Sequence, residues 1–190
     1  LNPPLPPIPP PPKRLFIACV ALGSNLGDRL DTLQRAAAAI AARVGVIEAQ
    51  SAVYETPPMY ITDQPPFLNA ALRVRTALTP RTLLEALLSI ERDLGRDREG
   101  AHGQRFGPRP IDLDLLLVEG EVDTTPSLQL PHPRMVERRF VLAPLAEVAP
   151  NWLHPTLGRN VRDLLASCPD PSPVTALCGA ALYRAPTSAQ

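Results

Sequence analysis

Arg105-Phe106-Gly107-Pro108-Arg109-Pro110-Ile111-Asp112-Leu113-Asp114-Leu115-Leu116-Leu117-Val118 is the stretch whose reading decides the fold. A turn rich in Gly and Pro precedes a run of leucine and β-branched side chains, which predicts a strand. Alternation puts Ile111, Leu113, Leu115 and Leu117 on one face, with Asp112 and Asp114 together on the other, Cα atoms ~7 Å apart. Leu116 and Val118 continue the aspartate face as apolar residues, so both faces are covered. Two carboxylates there repel each other and lose hydration unless a cation joins them. Hard, oxygen-seeking Mg²⁺ suits such a pair, with phosphate oxygens completing its shell. Arg105 and Arg109 lie just upstream, and arginine matches phosphate bidentately. The stretch points to metal-assisted phosphate chemistry.

A chain of 190 residues, 45% hydrophobic, builds one sizeable core. Its net charge is zero, which excludes a global field that recruits nucleic acid or an anionic membrane. Three cysteines, Cys19, Cys168 and Cys178, lack metal-type spacing and read as reduced thiols of a cytoplasmic protein. No apolar run reaches the ~20 residues of a membrane span. Residues 1–14 are expected to be a disordered proline-rich tail, 15–168 one domain, and 169–190 a loose C-terminal tail.

Within the domain, Leu15–Leu22 reads as a buried central strand. Gly23-Ser24-Asn25-Leu26-Gly27-Asp28 is either a phosphate cradle or a tight turn capped by Asp28. An alanine-rich helix over 29–43 follows, with Leu30, Leu33, Ala37 and Ile40 on one face. Val46–Glu55 and Phe67–Thr76 read as strands, separated by a proline-rich loop. Thr79-Pro80 opens a second helix with Leu84, Leu87 and Leu88 as its stripe, continued by Glu91, a carboxylate either at the frayed end or facing a polar site. Gly95–Pro110 is a long polar loop, and Gly95–Gly107 within it is expected to be a mobile lid by composition. The order strand-helix-strand-strand-helix-strand predicts an α+β, ferredoxin-like βαββαβ core. It implies a four-stranded antiparallel sheet, helices on one face, and a C-terminal helical extension over the other.

Six segments in order then resemble the 6-hydroxymethyl-7,8-dihydropterin pyrophosphokinase family of folate biosynthesis. They are Ala21–Asn25, Tyr54–Pro58, Gln64–Asn69, Leu94–Arg98, Gly107–Leu116, and Leu130–Arg134 with Arg138–Leu142. The resemblance implies transfer of a pyrophosphoryl group from Mg-ATP to the hydroxymethyl of a reduced pterin, with release of AMP. By resemblance Asp112 and Asp114 hold two Mg²⁺ ions, and Arg98 and Arg109 offset transition-state charge. Thr56, Pro57, Asn69 and Asp112 are implied polar contacts of the pterin, and Phe67 and Phe140 the rings around it. Arg98, Arg105, Arg109, Leu115, His132 and Arg138 are implied on the ATP side. Three positions depart from the family pattern: a longer loop over 98–105, Phe106 in place of a frequent tryptophan, and Tyr60 in place of a frequent glycine. The expected partners are small molecules, with no nucleic acid or membrane, and the expected state is a monomer.

Two other classes compete. A polymerase-β-like nucleotidyltransferase also joins Gly-Ser to Asp-x-Asp, but keeps the two close in the chain, whereas Ser24 and Asp112 are far apart. A ferredoxin-like RNA-binding module needs exposed aromatics and a basic face, and only 4% of this chain is aromatic.

Overall fold

In the computed structural model, residues 14–97 and 107–185 are described. The chain runs β1 (Phe16–Ser24), α1 (Arg29–Arg43), β2 (Gly45–Gln50), β3 (Tyr54–Thr56), β4 (Phe67–Thr76), α2 (Pro80–Asp93) and β5 (Asp112–Val118). A hairpin of β6 (Asp123–Thr125) and β7 (Leu128–Leu130) follows, then α3 (Arg139–Val148), α4 (Val161–Ala166) and β8 (Thr175–Ala176). Strands β5, β1 and β4 lie side by side, and both β2 and β3 pair with β4. All these pairings are antiparallel. Each helix thus links strands that flank an intervening one, which is the split βαβ arrangement of a ferredoxin-like α+β core.

The sheet has six strands rather than four. The single strand expected over Val46–Glu55 is broken in two at 51–53. There Ser51 N donates to Ala71 O at 3.0 Å, and Ala71 N donates to the Ser51 hydroxyl at 2.9 Å. The side chain replaces a ladder carbonyl, so the chain turns without orphaning a buried donor.

Helices α1 and α2 cover one face of the sheet, where Leu33, Ile40, Leu83, Leu87 and Ile90 meet Val20, Leu72 and Leu113. Both caps follow the sequence: Asp28 accepts from Asp31 N, and Thr79 from Thr82 N with Pro80 behind it. The buried side of α2 is Leu83, Leu87, Ile90 and Glu91, turned from the expected Leu84 and Leu88. Opposite, α3 packs Leu142, Leu145 and Val148 against Cys19, Ala71 and Leu116.

The predicted alternation of β5 holds only to Leu115. Cys19 pairs with Leu117 and Val20 with Leu115, so Leu116 is an extra, unopposed residue. This bulge swaps the faces beyond it. Leu117 therefore joins Leu116 on the α3 side, and Val118 packs on the α1 and α2 side.

The reading of 169–190 as a loose tail also fails over its described part. Strand β8 pairs with β3, Gln50 exchanges hydrogen bonds with the main chain of Tyr183, and Leu182 is buried in the main core. Turn-forming residues hid a segment whose ordering comes from partners distant in sequence. Of the expected disordered tail, Arg14 pairs with Glu121 at 2.7 Å, and residues 1–13 lie outside the described set. No described helix is long and apolar enough to cross a membrane. Leu182→Ala is expected to lower the unfolding free energy by ~2–4 kcal/mol in urea titration, as for a buried leucine. An unchanged midpoint would restore the loose-tail reading.

Candidate active site

The site begins where β5 enters the sheet. Asp112 pairs with Gly23 of β1, which pairs in turn with Asn69 of β4, so three residues form one row across the sheet. A Cβ on Gly23 would stand 3.1 Å from Asn69 Oδ1 and 3.9 Å from Asp112 Cβ. Glycine there lets the floor stay low between two polar groups. Asp114 faces Ala21, another small residue, one step further along.

The two aspartates are not equivalent. Asp112 is clamped by Arg96 Nη1 on one oxygen and by Arg109 Nη2, 2.9 Å from the other. Arg96 is itself held from behind by Glu91, 2.8 Å away, and by Ile111 O at 2.9 Å. Burial works against the charge of Arg96, but Asp112 and then Glu91 outweigh it, so its pKa lies above the ordinary arginine value. Glu91 is 1% exposed and also accepts from Leu113 N at 2.8 Å. The carboxylate on the helix stripe thus braces the first turn of the aspartate strand. Asp114 receives weaker compensation. Burial, reinforced by the negative charge of Asp112, pushes its pKa well above the ordinary carboxyl range, with Arg138 only partly opposing.

Around this pair lies a pocket lined by Gly23, Thr56, Pro57, Tyr60, Phe67, Asn69, Arg109, Asp112, Asp114, Arg138 and Phe140. Asn69 donates to Thr56 Oγ1 at 2.8 Å, fixing the amide orientation. The Arg109 guanidinium lies 4.9 Å from the centre of the Phe67 ring, and that of Arg138 5.7 Å from the Phe140 ring. Nε of both arginines is buried without a hydrogen-bond partner among the described residues. Tyr60 has φ of +73°, the left-handed region glycine occupies freely, so the tyrosine keeps the turn that a glycine would make there.

Asn25 holds the rim together. It donates to Gln64 Oε1 at 2.9 Å and Pro65 O at 3.2 Å, and its Oδ1 accepts from Arg109 N at 2.8 Å. The turn over residues 23–28 is capped by Asp28 as expected, with Asn25 serving as a structural tie.

The structure thus gathers Thr56, Pro57, Phe67, Asn69, Arg109, Asp112, Asp114, Arg138 and Phe140. Two candidates lie outside that pocket. Leu115 points its side chain into the core beneath α1 and α2, which leaves only its main chain for a ligand. His132 lines a neighbouring groove with Gln129, Pro133 and His154. Its main-chain N–H donates to Leu116 O at 2.8 Å, which pins it beside β5. Burial, with Arg138 and Arg134 adding to it, pushes its pKa down to about 4, so the ring is neutral at pH 7. Nδ1 accepts from Arg134 N at 3.3 Å, leaving Nε2 as the donor. Arg98 and Arg105, and with them most of the expected lid, lie outside the described residues.

Comparison with known proteins agrees with this geometry. Residues 19–150 match the model of the 7,8-dihydro-6-hydroxymethylpterin-pyrophosphokinase family. The chain belongs to this family. It is 49% identical to a 2-amino-4-hydroxy-6-hydroxymethyldihydropteridine pyrophosphokinase of Methylorubrum extorquens, over 82% of this chain and 94% of that one. It is also 49% identical to the Bacillus subtilis protein of the same name, over 70% of this chain and 77% of the relative. Among solved structures, wild-type Plasmodium falciparum HPPK-DHPS with pteroate aligns at a TM-score of 0.66 and 17% identity, over 80% of this chain. This chain spans only 42% of that longer one, and the likeness bears on the fold alone.

As a pterin pyrophosphokinase, the chain carries three residues whose part in the site is not given by spacing. Arg96 and Asn25 stand in matching segments without an individual role, and Glu91, read as fraying or facing a polar site, proves to face the site. Each acts through a contact 15 or more positions away, except for the Glu91–Arg96 pair, so spacing carried no signal. Glu91→Gln keeps the shape but leaves Arg96 under-compensated. It is expected to cost about 3–5 kcal/mol of stability by denaturant titration, as breaking a buried pair does. A change within experimental error would show that Glu91 does not brace the site.

Proposed function

We propose that this pocket is where the pyrophosphokinase transfers the β,γ-diphosphate of ATP to the hydroxymethyl oxygen of 6-hydroxymethyl-7,8-dihydropterin, releasing AMP. The observation that carries the reading is Asp112, held between Arg96 and Arg109, with Asp114 beside it in one pocket with Arg138, the Asn69 amide and the rings of Phe67 and Phe140.

The pterin belongs between Phe67 and Phe140, where a flat heterocycle gains two aromatic faces. Asn69 offers a donor and an acceptor to its edge, and Thr56, Pro57 and Asp112 complete the rim. Phosphates belong at Arg109 and Arg138, whose buried Nε groups lack partners until an anion supplies one. His132 adds a neutral Nε2 donor from the adjoining groove, and Leu115 its main chain. Arg98 and Arg105 keep the roles implied by the resemblance, as arginines of the loop that precedes the site.

Asp112 and Asp114 fit Mg²⁺, because the strand brings two carboxylates together and charge compensation for Asp114 is incomplete. Among the described residues no group of three or more His, Cys, Asp or Glu side chains could hold a metal, so the other ligands are phosphate oxygens and water. Two bound ions would neutralise phosphate charge and polarise the reacting oxygens. The protein residues then position and stabilise. Arg96 and Arg109, paired with Asp112 in the free protein, are placed to turn toward phosphate oxygens as that carboxylate takes another partner. The enzyme works as a monomer in a reducing cytoplasm, in keeping with three free thiols.

Two substitutions test the assignment. Asp112→Asn and Asp114→Asn are each expected to lower Mg²⁺-dependent turnover by ~100-fold or more. Their stabilities should part in sign. The raised pKa of Asp114 means that its ionisation costs stability as pH rises through that value, so Asp114→Asn raises the melting temperature at pH 8. Asp112→Asn strips the charge facing Arg96 and Arg109 and lowers it. Near-normal turnover in either variant at saturating Mg²⁺ would refute the metal role. Phe67→Ala is expected to weaken pterin binding by ~1–3 kcal/mol in calorimetry while leaving nucleotide affinity nearly unchanged. An equal loss for both ligands would make Phe67 a packing residue.

A further inference from the structure

The C-terminal segment reaches both walls of the pocket. Helix α3 carries Phe140 in its first turn and Arg138 at its N-cap, yet Arg138 makes no side-chain capping bond. The cap comes instead from Asp170, 31 positions away, whose Oδ2 accepts from Arg139 N at 3.0 Å. Its Oδ1 accepts from Ser172 N at 2.9 Å, and the residue is 6% exposed. A buried carboxylate on an otherwise uncapped helix N-terminus satisfies an orphan donor and opposes the positive end of the helix dipole. These bonds hold its pKa below the ordinary value even though burial works the other way, so it is ionised at neutral pH. A few residues on, Glu55 pairs with Thr175 and Tyr54 with Ala176, and Leu177 N donates to Val53 O at 2.8 Å. Strand β3 ends at Thr56, which receives the Asn69 amide. One short segment therefore ties the helix bearing Phe140 and Arg138 to the strand bearing Thr56.

We propose that residues 170–177 form a strap that sets the spacing of the two pocket walls, with Asp170 the positioning residue that fixes Phe140 and Arg138 for the pterin. Asp170 touches neither substrate, so its effect runs through α3. The proposal rests on the reading of Phe140 as a pterin contact, and the test separates the two.

Pterin affinity is measured by calorimetry, with a non-hydrolysable ATP analogue present and well below every melting temperature. The full chain is compared with Asp170→Ala, Asp170→Asn, Phe140→Ala and Asn160→Ala. The last removes the N-cap of α4, where Asn160 accepts from Asp163 N at 2.8 Å, and serves as an equal loss of capping away from the pocket. Asp170→Ala is expected to weaken pterin binding ~10-fold, since small misplacements of a binding group are costly. Asp170→Asn keeps an acceptor for Arg139 N and should recover most of that loss, remaining about 3-fold weaker than the parent because the charge is gone. Asn160→Ala should lower the melting temperature and leave pterin affinity unchanged. If Phe140→Ala weakens binding but Asp170→Ala only lowers the melting temperature, the strap is refuted and the site reading stands. If Phe140→Ala leaves binding unchanged, the site reading itself fails, and the strap with it. Should Asp170→Ala not accumulate as folded protein, unaltered affinity in Asp170→Asn refutes the proposal.

Discussion

The Asp112 carboxylate held between Arg96 and Arg109 is the contact on which the rest of the site depends. Carboxylates at the mouth of a covered strand are tolerable only if their charge is answered, and exposed pairs contribute too little to do so. Here the answer is layered. Glu91, almost wholly buried on α2, faces Arg96, and Arg96 faces Asp112 and the Ile111 carbonyl. The charges alternate from the core outward, so no member is left alone in a low dielectric. Asp114 stands at the end of the series with the least compensation, which makes it the group with most to gain from a cation.

This arrangement couples fold to chemistry. Arg96 and Arg109 answer the charge of Asp112, while the buried Nε of Arg109 and of Arg138 and the carboxyl of Asp114 are left less well answered. Pre-arranged charges of this kind need little reorganisation when charge develops during transfer. The opposite wall obeys a different requirement. Phe67, Phe140, Asn69 and Thr56 offer flat apolar faces and a fixed amide, suited to a heterocycle rather than to a phosphate. Strand β5 supplies the aspartates, and β4 and α3 the rings and the amide, with Arg109 and Arg138 each set against one of the rings.

Much of this was legible in the sequence because its causes are local. The Asp-x-Asp strand, the Asp28 cap and the Thr79-Pro80 helix start each follow from adjacent residues, and the split βαβ order follows from the succession of elements. What escaped is non-local or depends on register. The Leu116 bulge reverses the faces of Leu117 and Val118, and strict alternation cannot anticipate an inserted residue. The C-terminal segment is rich in Pro and Ala and shows no clear periodicity, yet Leu182, Asp170 and β8 are ordered by partners more than 30 positions away. Arg96 looked like one arginine among several in a polar loop, and nothing nearby in the chain marked it as the one that meets Asp112.

Everything above turns on this pocket moving two phosphates as a unit to a reduced pterin. The direct measurement is product analysis with ATP labelled in its β-phosphate, in the presence of Mg²⁺ and 6-hydroxymethyl-7,8-dihydropterin. The account predicts AMP and labelled pterin diphosphate in equal amounts, with no AMP formed when the pterin is omitted. Release of ADP, or AMP formed at the same rate without pterin, would contradict it.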